Sequence, residues 1–222
     1  MSSQKIRSTA AVLVIFCALA TGNRAICAGI DGISESSSGG AVRVLVAYHS
    51  LTGNTEQMAK AVAEGAKRVP GVSALLEKVD EVSPKDLEGA DGIVLGCPTY
   101  YANIPGKMKA VIDDWSWKMK VDFTDKVGGA FATGGGQVGG KEHVVTSLLM
   151  FMLSNRMIVA GPLYRNEKTG SLWGEPGAAA MTGPLDPGVS EGELDSARRL
   201  GERVAHITVK LKRAEASAPG KQ

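Results

Sequence analysis

Ser50, Leu51, Thr52, Gly53, Asn54 and Thr55 form the stretch of this chain whose residue types and spacing best suit chemistry. Hydroxyls and a glycine follow an apolar run at 42–47 and precede a helical pattern. A strand that ends in such a turn and opens a helix makes an anion site. The helix start offers unpaired N–H groups and the positive end of the dipole. Gly53 lets the backbone come close. The loop holds no Lys or Arg, which suits a terminal monophosphate gripped by neutral donors better than a triphosphate. It lacks the GK[ST] of the Walker loop and the later glycines of GxGxxG. The plainer alternative is an ordinary capped helix after a strand.

Two further loops also follow apolar runs. Pro98, Thr99, Tyr100 and Tyr101 combine a hydroxyl with adjacent aromatic rings, which give a flat apolar contact. Equally, the tyrosines would cover the end of a sheet. Thr133, Gly134, Gly135, Gly136 and Gln137, followed by Gly139 and Gly140, make a glycine-rich turn. So much glycine carries an entropic cost that makes sense where backbone must approach a ligand. A mobile surface loop is the alternative for any one of these turns and a weaker one for three at corresponding strand ends.

The elements that must position these loops alternate along the chain. Strands are expected at 42–47, 72–79, 91–97 and 127–132, with a fifth starting at 157–160. Helices are expected at 55–68, 106–115, 141–155 and 191–211, each with apolar residues at helical spacing. Alternation of this kind implies a parallel sheet with helices on both faces. Continuous apolar strands agree. In such sheets the ligand lies beyond the carboxyl ends of the strands, at the switch in strand order.

The loop at 50–55 resembles the S/T-x-T-G-x-T loop of flavodoxins. With 98–101, Gly106-Lys107-Met108-Lys109, the 133–140 turn and Glu142, the chain resembles the WrbA-type NAD(P)H:quinone oxidoreductases, over about 42–211. These are FMN-binding members of the flavodoxin-like superfamily. The resemblance implies a doubly wound α/β domain with a five-stranded parallel sheet in the order 2-1-3-4-5. It implies that residues 50–55 hold the FMN phosphate, that 98–101 contact the flavin ring, and that 133–137 line its pyrimidine edge. There a row of N–H groups favours the negative charge of the reduced flavin. The resemblance further implies that two electrons pass from NAD(P)H to a quinone-like acceptor, with no side-chain nucleophile or base. A homo-oligomer, tetramer or dimer, is implied as well, since neighbours in the family complete the active site. The chain departs from the family in places. Ser154-Asn155 stands where the family has a His–His pair, and Trp117 is the nearest counterpart of its substrate-facing Trp. Trp115 lies on an apolar stripe and belongs to the core.

Composition bounds the rest. Lys5 and Arg7 precede a short apolar stretch and small residues, the pattern of a secretory signal peptide over 1–28. A Gly/Ser-rich linker follows at 29–40, then the domain at 41–212 and a frayed tail at 213–222. The expected location is periplasmic or extracellular, with an uncleaved membrane anchor as the alternative. Export poses a difficulty, because reducing nicotinamide is not expected outside the cytoplasm. Cleavage removes Lys5, Arg7 and Arg24 and no acid, so the net charge passes from +2 to −1. No nucleic-acid partner follows from that balance, and no stable span remains after cleavage. Cys97 becomes the lone cysteine, read as an inert core thiol. His49, His143 and His206 lack metal-ligand spacing. Besides the reductase, a flavodoxin-type one-electron carrier and a non-catalytic flavin- or ligand-binding protein stay open. Such carriers are usually strongly acidic, which disfavours the first of these.

Overall fold

The computed structural model describes residues 41–183 and 185–218. The signal peptide and linker expected at 1–40, and residues 219–222 of the expected tail, lie outside the described residues. Strand and helix alternate: β1 (Val42–Tyr48), α1 (Asn54–Lys67), β2 (Val72–Lys78), α2 (Pro84–Gly89), β3 (Gly92–Pro98), α3 (Gly106–Trp117), β4 (Val127–Gly134) and α4 (Lys141–Ser154). Then come the short strands β5 (Ile158–Val159), β6 (Leu163–Arg165), β7 (Leu172–Gly174) and β8 (Ala178–Met181), and the closing helix α5 (Glu191–Ser217). The main sheet is parallel, with the order β2-β1-β3-β4-β5, as the resemblance implies.

Each central strand is buried on both faces, which is why its sequence is a continuous apolar run. Val44, Val46, Val94 and Phe131 pack with residues of α1 and α5. Leu45, Ala47, Ile93, Leu95, Cys97, Ala130 and Ala132 pack with residues of α3 and α4, Trp115 among them. Gly96 pairs with Phe131 across the ladder, and a Cβ there would lie 2.0 Å from the end of its ring. Helices α1 and α5 touch backbone to backbone: a Cβ on Gly65 would lie 1.9 Å from the Arg198 carbonyl oxygen, and one on Gly201 1.9 Å from that of Val62.

The structure differs from expectation in four places. The fifth strand is split: β5 pairs with Val127 and Gly128, and β8 pairs with Phe131–Gly134 on β4. Between them β6 and β7 form an antiparallel hairpin, with Tyr164 stacked on Trp173 at 5.3 Å. Helix α2 is an additional element, closed by a reciprocal Ser83–Asp86 capping box. Finally, α5 runs to Ser217, so 213–217 is helix rather than tail. Arg213, Ala214, Glu215 and Ala216 are good helix formers, and nothing among them breaks the turn. No helix of the described residues is long and apolar enough to cross a membrane.

Candidate functional site

The loops after β1, β3 and β4 meet at the carboxyl end of the sheet, where α1, α3 and α4 begin. Gly53 caps α1 in the left-handed conformation, φ 95°, without a side-chain cap bond. Its N–H donates to Ser50 Oγ at 3.1 Å, which folds the loop. The first-turn N–H groups of α1 are thus left without a side-chain cap, with the hydroxyls of the loop beside them, as an anion site requires.

Threonines tie the loops together. Thr55 and Thr133 share a buried hydroxyl–hydroxyl hydrogen bond of 2.7 Å. The Thr99 N–H donates to the Thr133 carbonyl at 2.7 Å. Thr99 Oγ1 is buried and has no hydrogen-bond partner among the described residues. A buried hydroxyl left unpaired is costly, so this atom is available to a bound ligand.

After β3 the chain makes a tight turn in which Tyr100 and Asn103 exchange backbone hydrogen bonds of 3.0 Å each. Its central residues, Tyr101 and Ala102, both have positive φ, 51° and 62°. Such turns prefer Asn and Gly, so this one carries strain. It holds the Tyr101 ring wholly in solvent while Tyr100 stays half-buried. Burial pushes the Tyr100 phenol above its ordinary value, so it remains protonated at neutral pH. The same turn abuts the glycine loop: a Cβ on Gly140, φ 86°, would lie 2.6 Å from Ala102 Cα.

Residues 50–55, 98–101 and 133–137 are therefore assembled at one end of the sheet. Trp117 is not. It ends α3, whose 12 residues run back toward the amino ends of the strands, roughly 17 Å away at 1.5 Å per residue. Its neighbour Ser116 hydrogen-bonds Asn155 at 3.0 Å, so Ser154, Asn155 and Trp117 share the far end of the molecule. Trp117 is 82% exposed there. Within one chain it cannot cover a ligand held by these loops.

Two residues of the site escaped the sequence reading. Asp186, 132 positions from Asn54, accepts a 2.7 Å hydrogen bond from its side-chain amide, which also donates to Thr52 Oγ1 at 3.3 Å. No local pattern could reveal that pairing. Lys141 opens α4 and is only 6% exposed, with Nζ donating to the Gly136 carbonyl at 2.6 Å. Its place directly after the glycine loop was the available signal.

His49 packs beside the Lys107–Asp80 ion pair of 2.8 Å. Burial, with a smaller push from Lys107, holds it below the usual imidazole range, so it is neutral at pH 7. Burial pushes the Cys97 thiol up to about 12, which fits an inert core residue.

A parallel sheet in the order 2-1-3-4-5 with its special loops at the carboxyl ends defines a flavodoxin-like α/β protein. Comparison with known proteins narrows this. The NADPH-dependent FMN reductase family matches residues 76–170. An NAD(P)H dehydrogenase (quinone) of Geotalea uraniireducens is 32% identical over 206 residues, covering 78% of this chain and 100% of that protein. A flavodoxin of Aquifex aeolicus is 36% identical over 163 residues, 73% of this chain and 85% of that one. Among solved structures, a flavodoxin, WrbA-like protein from Agrobacterium tumefaciens superposes with a TM-score of 0.59 at 26% identity, over 76% of this chain and 98% of the other. The chain belongs to the NAD(P)H dehydrogenase (quinone) family of flavodoxin-like proteins.

Proposed function

We propose that this protein binds FMN across its three loops and passes two electrons from NAD(P)H to a quinone-like acceptor. The observation that carries this reading is the convergence of Thr55, Thr99 and Thr133, with Thr99 Oγ1 buried and unpartnered among the described residues. The uncapped start of α1 fits a phosphate, and the Thr99 hydroxyl and glycine loop fit the polar edge of a flavin. FMN, when bound, supplies the two-electron chemistry.

The chain's residues bind and orient. The α1 N–H groups with Ser50, Thr52 and Thr55 hold the phosphate. Pro98, Thr99 and Tyr100 flank the ring, and the 133–137 backbone lies along its pyrimidine edge. Tyr100 keeps its proton and serves as a flat wall with a donor. No side chain here acts as nucleophile or base.

The family relatives support the reductase over the alternatives. The similarity to a flavodoxin favours a one-electron carrier as second reading. Anaerobic titration of the FMN-reconstituted protein with NADH and NADPH decides between them. Bleaching of the flavin absorbance, reversed by benzoquinone, is the expected result. Binding of FMN with no reaction toward either nucleotide would leave the carrier, and absence of FMN binding would remove both.

We also propose a homo-oligomer, in which the exposed Trp117 of one copy covers the site of another. Large exposed aromatics mark contact surfaces. Light scattering should give a dimer or tetramer, and Trp117→Ala should raise the quinone KM by about fivefold with FMN affinity kept. A fully active monomer would dispose of this arrangement.

A further inference from the structure

We infer that Lys141 supplies the positive charge for the pyrimidine edge of bound FMN, and so sets how far the protein favours reduced over oxidised cofactor. The inference rests on the FMN reading above.

Among the described residues, no other Lys, Arg, Asp or Glu is as buried as Lys141. Its ammonium has three protons to donate, and the structure gives it one acceptor, the Gly136 carbonyl at 2.6 Å. No carboxylate of the described residues lies within 4.0 Å of it. Glu193 feels its field, but that carboxylate already accepts from Met181 N at 2.6 Å and from Ser190 N and Oγ at 2.8 and 2.7 Å. A buried cation with no carboxylate in contact is unfavourable unless an anion arrives.

Its position makes this sharper. Lys141 is the first residue of α4, whose cap, Gly140, makes no side-chain cap bond. The positive end of the helix and the positive side chain are thus placed together, which the helix dipole disfavours in the absence of an anion. The stem passes over Gly134, where a Cβ would lie 3.1 Å from Lys141 Cγ and 3.4 Å from Thr99 Oγ1. The Lys141 stem and the unpartnered Thr99 hydroxyl therefore meet over Gly134, while the ammonium reaches on to the Gly136 carbonyl, within the loop assigned to the pyrimidine edge. Two-electron reduction places negative charge on that edge of a flavin. A cation there binds the reduced form more tightly than the oxidised one.

The test uses Lys141→Gln, which keeps a donor for the Gly136 carbonyl and removes the charge, and Lys141→Arg, which keeps the charge. The measurements are the two-electron midpoint potential of the FMN-reconstituted protein and the thermal midpoint of the ligand-free protein. In Lys141→Gln the preference for reduced over oxidised FMN should fall about 10- to 100-fold, a drop of about 30 to 60 mV for a two-electron couple. Lys141→Arg should stay within about threefold of the wild type. Ligand-free Lys141→Gln should melt at or above the wild-type temperature, because an uncompensated charge has gone. An unchanged potential with FMN bound to Lys141→Gln overturns the inference. So does a ligand-free variant that melts well below the wild type, which would make Lys141 a structural residue. A wild-type protein that binds no FMN removes the functional reading itself, and the inference with it.

Discussion

Gly201→Ala should destabilise the protein by at least about 3 kcal/mol, while Gly192→Ala, in the same helix, should stabilise it by about 0.5 kcal/mol. At Gly201 the new methyl carbon would sit 1.9 Å from the Val62 carbonyl oxygen and 3.0 Å from Ala66 N. Both are backbone atoms of α1, so no side chain can swing aside. Relief requires the two helices to part, which opens the contact among Val62, Ala66, Ala197, Leu200 and Val204. Overpacking of an ordinary core costs about 1–3 kcal/mol, and a collision with backbone belongs at or above the top of that range. At Gly192 nothing lies within 4 Å, and the only effects are better helix propensity and a less flexible unfolded chain. Urea denaturation of both variants measures the contrast. A Gly201→Ala protein within 1 kcal/mol of wild type would mean that the α1–α5 contact is looser than described.

Thr55→Val should weaken FMN binding by about 100-fold, roughly 2.7 kcal/mol. The expected loss has two parts. Thr55 and Thr133 share one buried hydrogen bond, so one hydroxyl gives its proton to the other, and the acceptor's own proton is free for a ligand. Valine keeps the shape and removes the partner; the unsatisfied Thr133 hydroxyl costs about 1–3 kcal/mol of stability in the free and the bound protein alike, and weakens binding only by loosening the Thr133 side chain. With Thr133 as the donor of the shared bond, Thr55 keeps its own proton for the phosphate, and valine deletes that bond to a charged acceptor, which contributes about 1.5–3 kcal/mol. Flavin fluorescence titration reads the change. Affinity within threefold of wild type would place the phosphate elsewhere.

The architecture was readable because its central strands are buried on both faces and hence written as unbroken apolar runs. Three special loops at corresponding strand ends were readable for the same reason: each interrupts such a run with residues that packing alone does not call for. Short elements were not readable in this way. Strand β8 is Ala178, Ala179, Ala180 and Met181, with no β-branched residue, and it forms only because β4 offers a free ladder edge. Helix α2 is six residues long, yet its Ser83-Pro84-x-Asp86 start was a legible cap. Asp186 reaches Asn54 through tertiary folding alone. Trp117 is a different case. A helix that returns antiparallel to its strands carries its last residue away from the loop that precedes it, so its position followed from the topology already inferred.

The interrupted fifth strand has a consequence for how such proteins diversify. Gly161 lies so close to the Glu175 carbonyl that a Cβ would come within 1.7 Å of it, and Glu175 N donates to the Pro162 carbonyl at 3.3 Å. The two feet of the β6–β7 hairpin are therefore pinned side by side, and the ladder resumes at Ala178 opposite Phe131 as though nothing intervened. A closed stalk of this kind is an exchangeable port. The tip beyond Arg165 and Leu172 can be lengthened or replaced without shifting the register beneath, while Tyr164, bonded to Ser196 and lying under Arg199, keeps the base of the hairpin on α5. For the experimenter it is the place to graft a tether, an electrode linker or a second module.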